Sequence, residues 1–190
     1  MNIVVISGNP KTTGLCAELT DKLVSGAKDG GAHVKVLDVT KLERCRMCGD
    51  GWGTCLKENL CAFGGDGFDD AQAAVRAADA AILVTPVYWA EESEALKGFL
   101  DKLRRCEYAF GPESGKKALN GKPVLLVASA GMSGRGTLTC LEQMERFCNH
   151  TGANVFDLLS VNRWNSDYKK EAAYSAAKAL AGGRKIGETI

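Results

Sequence analysis

The feature that most constrains this chain is the alternation of short, β-branched apolar runs with segments of helical period. Residues 2 to 7 (NIVVIS) carry a continuous apolar, β-branched run between Asn2 and Ser7, the pattern of a strand buried on both faces of a sheet. Leu15, Leu19, Leu23 and Ala27 then repeat every four residues until Gly30-Gly31, which predicts a helix, and a second strand follows at 34 to 39. After a break at 40 to 68, Asp69-Asp70 are expected to cap a helix that runs to about Ala78, and AAILVT at 80 to 85 reads as a third strand. A helix with Leu96, Phe99, Leu100 and Leu103 on one face, a strand at 123 to 129, a helix at 137 to 150, a strand at 154 to 160 and an Ala-rich helix at 167 to 180 complete the series. Strands alternating with helices imply right-handed crossovers and a parallel sheet covered on both faces. The expected fold class is therefore α/β, a doubly wound five-stranded parallel sheet of order 2-1-3-4-5. It forms one domain over 1 to 190, with a Cys-rich insertion after strand two at about 44 to 66.

Charge and hydropathy narrow the function. Twenty-four Lys and Arg against 23 Asp and Glu leave a formal net charge of +1, so no broad field exists to gather nucleic acid or anionic lipid. The apolar runs are too short to span a bilayer, and MNIVVISGNP has neither a basic n-region nor a small-residue cleavage pattern, which points to a cytoplasmic, membrane-free protein. Eight Cys in such a compartment read as reduced thiols, metal ligands or redox groups rather than a disulfide framework.

In a 2-1-3-4-5 sheet, ligands collect at the carboxyl ends of strands one and three, where the winding reverses. Three loops there carry candidate ligands. After strand one, Ser7, Asn9, Lys11, Thr12, Thr13 and Gly14 lead into a helix and can surround a phosphate, although Ser and Thr at this place also simply cap helices. After strand three, Pro86, Val87, Tyr88 and Trp89 offer a platform for a flat ring, or plain packing. After strand four, the Gly-rich loop from Ser129 through Gly131 to Gly136 can approach the same ligand, or is a plain connection. His33 at a strand start and His150 at a helix end read as surface or capping residues, so no acid-base catalyst is assigned.

Four of the eight thiols, Cys45, Cys48, Cys55 and Cys61, fall in one glycine-containing stretch, with Gly49, Gly51 and Gly53 between them. Four thiolates suit a 4Fe-4S cluster or a tetrahedral zinc, and metal-free thiols that oxidise to disulfides are the third reading. Cys16, Cys106, Cys140 and Cys148 read as small buried hydrophobes.

With these residues in hand, the chain resembles the flavodoxin-like NAD(P)H-dependent FMN reductases over nearly its whole length, and most closely their iron-sulfur flavoprotein branch. Gly8, Pro10, Lys11 and Gly14 match the family's phosphate loop, G-S-P-R-x-x-G-N-T, while Leu15 and Cys16 replace its Asn-Thr. Thr85-Pro86-Val87-Tyr88-Trp89 matches the family's S-P-V-Y-W loop, and Leu96-Lys97 with Phe99 to Lys102 resembles L-K-x-F-x-D-R, Lys102 standing where that pattern has Arg. The branch carries C-x2-C-x2-C-x4-7-C ahead of an Asp-Asp helix start; here Gly51 takes the third position and the next thiol is Cys55. The resemblance implies a redox flavoprotein that binds FMN and a 4Fe-4S cluster. It would pass electrons between a carrier such as ferredoxin, or NAD(P)H, and an acceptor, and work as a homo-oligomer, dimer or tetramer, with the cluster near a partner's flavin. Residues 107 to 121 are a candidate for that interface or, equally, a plain solvent loop. The alternatives are an NAD(P)H-dependent FMN, quinone or nitro-compound reductase without a working cluster and, from another class, a thiol or metal redox sensor.

Overall fold

The computed structural model describes residues 1–108 and 118–183. The first half runs β1 (Asn2–Ser7), α1 (Leu15–Asp29), β2 (His33–Asp38), α2 (Thr54–Glu58), α3 (Phe68–Ala77) and β3 (Ala80–Tyr88). The second half runs β4 (Glu91–Glu92), α4 (Glu94–Tyr108), β5 (Pro123–Ala130), α5 (Thr137–Thr151), β6 (Asn154–Asn162) and α6 (Ser166–Ala181). The long strands lie parallel in the order β2-β1-β3-β5-β6, the doubly wound arrangement expected from the alternation. Two-residue β4 is an addition, turning back antiparallel onto the end of β3.

Period two decides which face each strand residue serves. Val4, Ile6, Ala81, Leu83, Val124 and Leu126 pack with Phe68, Leu100, Leu103 and Met144 from α3, α4 and α5. Their alternates Ile3, Val5, Ile82, Val84, Leu125 and Val127 pack with Leu19 and Leu23 of α1 and Ala173, Ala177 and Leu180 of α6. Both faces are dry, which is why the runs are continuously apolar rather than alternating. No helix among the described residues is long and apolar enough to cross a membrane.

Three local expectations are corrected. β3 runs past residue 85 to Tyr88, because the hairpin with β4 extends the pairing; Pro86 is accommodated near the strand end opposite Ser129. Asp69 and Asp70 do not cap α3: the helix begins at Phe68, Gly67 holds the N-cap position with φ 104°, and Asp66 accepts the Phe68 N–H at 3.0 Å. Asp69 and Asp70 instead sit in the first turn, where their charge favours the positive end of the helix dipole. The stretch 40 to 68, expected to be irregular, contains α2 and two short 3-10 turns at Val39–Lys41 and Gly64–Asp66. Of the polar stretch 107 to 121, residues 109 to 117 lie outside the described residues.

Candidate functional site

The carboxyl ends of β1, β3 and β5 converge on a cavity of about 540 Å³. One wall comes from the turn after β1 and the start of α1: Asn9, Lys11, Thr13, Gly14, Leu15 and Cys16. This turn is built by Asn9, whose amide donates to the Lys11 carbonyl at 2.6 Å and whose Oδ1 accepts the Lys11 N–H at 3.3 Å. Gly14, at φ 92°, holds the N-cap of α1, and no side chain caps the first-turn N–H groups. The alternative, that Ser or Thr here simply caps the helix, therefore does not hold, and the helix end remains available to an anion.

The opposite wall is Pro86, Val87 and Tyr88 from β3 with Ser129, Ala130 and Gly131 from β5. These two segments are neighbours because β3 and β5 are hydrogen-bonded partners, Pro86 lying opposite Ser129. Burial drives the Cys16 thiol up to about 11 against a hydrogen bond with Ser129 across the cavity, so this sulfur remains neutral.

Nine of the twelve residues expected around a flavin thus line one cavity; Ser7, Thr12 and Trp89 do not. Ser7 is buried beneath the turn and accepts the Asn9 N–H at 3.4 Å, so it supports the loop from below. Thr12 is exposed. Trp89 is corrected more sharply: its side chain is 99% exposed. Trp89 and Ala90 have φ of 54° and 66° and form the two-residue turn between Tyr88 and Glu91, and this left-handed pair carries the indole into solvent. Such conformations cost about 1–3 kcal/mol each in non-glycine residues, so neighbours must enforce them. They do: a Cβ on Gly136 would lie 2.7 Å from the Ala90 Cα, and Gln143 of α5 donates to the Ala90 carbonyl at 3.4 Å.

The structure adds residues that sequence reasoning missed. Arg163 and Ser166, at the β6–α6 junction, complete the cavity beside Glu18, which pairs with Lys170 at 2.8 Å. Among the described residues neither Lys11 nor Arg163 has a carboxylate partner, so two free cations face the cavity. The signal was available, since Arg163 directly follows the last strand on the carboxyl edge that had already singled out the other loops.

A second cavity of about 200 Å³ shares Tyr88 with the first and is lined on its far side by Thr40, Leu42 and Arg44, the root of the cysteine segment. The segment therefore does leave the sheet beside the large cavity. Between the two, Ser93 accepts the Leu96 N–H at 3.3 Å as the N-cap of α4, donates its hydroxyl to the Gly8 carbonyl at 2.7 Å, and gives its N–H to Thr85 Oγ1 at 2.9 Å. One buried serine fastens α4 to both cavity walls.

The four clustered thiols are less well gathered. Cys55 is buried, Cys45, Cys48 and Cys61 are half-buried, and the Cys48 sulfur is tucked against Gly53, where a Cβ would come within 2.3 Å of it. Among the described residues no three His, Cys, Asp or Glu side chains are set to hold a metal ion. The donor chemistry suits a 4Fe-4S cluster, but the thiols as placed do not fit one. Cys106, buried as expected, lies near Cys55 and Cys61. Burial first, then Cys61, Cys55 and Glu107, push it up to about 12 against the pull of Lys102. Asn59 Oδ1, Asp69 Oδ1 and Gln72 Oε1 are buried near the segment's exit without hydrogen-bond partners among the described residues. Cys140 and Cys148 are buried in α5 as expected.

The family model for NADPH-dependent FMN reductase matches residues 1–166. The chain belongs to that family. Two curated relatives are the iron-sulfur flavoprotein of Archaeoglobus fulgidus, 26% identical over 69% of this chain and 56% of its own length, and that of Methanosarcina thermophila, 29% identical over 57% of each. The matched region thus spans little more than half of those relatives. Among solved structures this family member superposes on an NADH:FMN oxidoreductase, EmoB, with TM-score 0.68, 21% identity and coverage of 97% of this chain and 90% of that one. It also superposes on a WrbA-like flavodoxin from Agrobacterium tumefaciens with TM-score 0.65, 16% identity and 96% coverage of both. These likenesses establish the flavodoxin-like fold.

Proposed function

We propose that this protein is a flavin-dependent oxidoreductase that binds FMN in the 540 Å³ cavity and exchanges electrons between NAD(P)H or a carrier such as ferredoxin and an acceptor. The observation that carries this reading is the polarity of the cavity itself. Its phosphate end has the start of a 15-residue helix and two cations, Lys11 and Arg163, without a carboxylate partner among the described residues, and its other end is bordered by Pro86, Val87 and Tyr88. FMN, when bound, supplies the redox chemistry, accepting a hydride or single electrons at its ring. The chain's part is to hold the phosphomonoester with Asn9, Lys11, Thr13 and the N–H groups after Gly14, and to orient the ring against residues 86 to 88 and the Ser129–Gly131 backbone. Ser7 and Thr12 act through the loop's shape.

The names of the two curated relatives and the four-thiol segment support a 4Fe-4S cluster as a second centre; gathering Cys45, Cys48, Cys55 and Cys61 around it requires the segment to rearrange. The scattered thiols favour, as second reading, a simple FMN, quinone or nitro-compound reductase. Flavin, iron and sulfide analysis of anaerobically purified protein, with spectra before and after NADPH, NADH or reduced ferredoxin, tests both. FMN with iron and sulfide near four per chain supports the two-centre protein. FMN bleached by a nicotinamide without iron supports the simple reductase, and absence of flavin binding refutes the proposal. Sedimentation of the loaded protein tests the expected homo-oligomer.

A further inference from the structure

Lys102 is 2% exposed, in the middle of α4. A buried ammonium is tolerated only where its three N–H groups find acceptors, and here three are present. Nζ lies 3.4 Å from the Glu43 carbonyl, 3.4 Å from the Phe63 carbonyl and 3.5 Å from Asp66 Oδ2, with the Phe68 ring 4.5 Å beneath it. Asp66 Oδ2 also accepts the Glu43 N–H at 2.6 Å. Glu43 and Phe63 are the residues two before Cys45 and two after Cys61. A single cation therefore meets both ends of the four-cysteine segment. One turn further along α4, Arg105 donates to the Gly51 carbonyl at the segment's tip and lies over the Trp52 ring at 5.2 Å, and Gln72 of α3 donates to the Asn59 carbonyl at 3.1 Å.

We propose that Lys102, seconded by Asp66, is the positioning residue that clasps the two ends of the cysteine segment onto α4 and so fixes where the segment leaves and rejoins the body of the protein. The clasp acts on backbone carbonyls and a carboxylate and not on sulfur, so the segment is an ordered element before any metal binds; the inference stands whether or not the segment carries a cluster. It also accounts for the basic residue at this point of α4. Carbonyls at both loop ends can be joined by a cation that reaches them from the helix, whereas an apolar side chain would leave the Glu43 and Phe63 carbonyls without this donor.

The test is pulsed iodoacetamide labelling of the reduced, chelator-treated full chain, with mass spectrometry resolving each cysteine. In Lys102→Met, Cys55 and Cys61 are expected to label about tenfold faster than in the wild type while Cys140 and Cys148 keep their protection, and Lys102→Arg is expected to restore most of the protection. Cys55 labelling within about twofold of wild type in Lys102→Met, or no rescue by arginine, overturns the clasp. Should Lys102→Met expose Cys140 and Cys148 as well, signalling global unfolding, Asp66→Asn decides: faster Cys55 labelling with the α5 thiols protected supports the clasp, and unchanged labelling overturns it.

Discussion

Ser93→Ala is the most informative single perturbation of the cavity, because one hydroxyl performs two separable tasks. The Ser93 Oγ caps α4 by accepting the Leu96 N–H, and it donates to the Gly8 carbonyl 85 residues away at the head of the first loop. Loss of a serine N-cap costs about 1 kcal/mol. Leaving the buried Gly8 carbonyl without its donor costs about 1–3 kcal/mol more. The expected destabilisation is about 2–4 kcal/mol, a fall in Tm of roughly 5–10 °C for a chain of this size. Glycine caps helices nearly as well as serine, so Ser93→Gly loses mainly the tether to Gly8. The two variants, compared by urea unfolding of the reduced protein, separate cap from tether. FMN titration reads the second consequence: the turn that carries Asn9 and Lys11 loses its anchor to α4, and affinity is expected to fall about tenfold in both variants, the equivalent of 1.4 kcal/mol. Ser93→Ala within about 0.5 kcal/mol of wild type, with FMN affinity unchanged, would falsify the claim that this serine fastens the two walls.

Arg163→Ala is expected to weaken FMN about tenfold while leaving riboflavin affinity unchanged, since riboflavin lacks the phosphate that the cation faces; equal effects on both flavins, measured by fluorescence quenching, would place Arg163 elsewhere in the site. Glu92 is buried with Oε2 unpartnered, and burial first, with the nearby Glu91 and Asp101, raises its pKa against the pull of its own backbone N–H and Lys97. A raised carboxyl contributes stability below its unfolded value and loses it as pH rises through the folded value, so Glu92→Gln is expected to stabilise the protein at pH 7, with the gain vanishing toward pH 4. Urea midpoints at the two pH values check this, and a gain that grows on acidification refutes it. In the wild type, Cys45 and Cys48 are expected to alkylate well ahead of Cys106, Cys140 and Cys148, whose thiols burial holds up to about 12, and a reversed order in peptide mapping contradicts the placement of the segment.

The doubly wound sheet was legible from NIVVIS, AAILVT and PVLLVAS, because strands buried on both faces must be continuously apolar and nothing else in a chain of this length repeats that way. The loops at the carboxyl edge were legible for the same reason: once strand order is set, the winding reversal says which loops converge. Tertiary structure alone decided that Trp89 leaves the cavity. Its direction depends on a left-handed turn enforced by Gly136 and α5, contacts between residues more than 40 positions apart that no local pattern encodes. The place of Arg163 after the last strand was legible, but tertiary structure decided that it lines one cavity with Lys11, since β6 and β1 are separated in the sheet and α1 and α6 meet by packing on one face. The cysteine segment shows the same division: the spacing of its thiols was visible at once, but its seat on α4 depends on Lys102, a lysine like any other in composition until the fold buries its ammonium against carbonyls at the two ends of that loop.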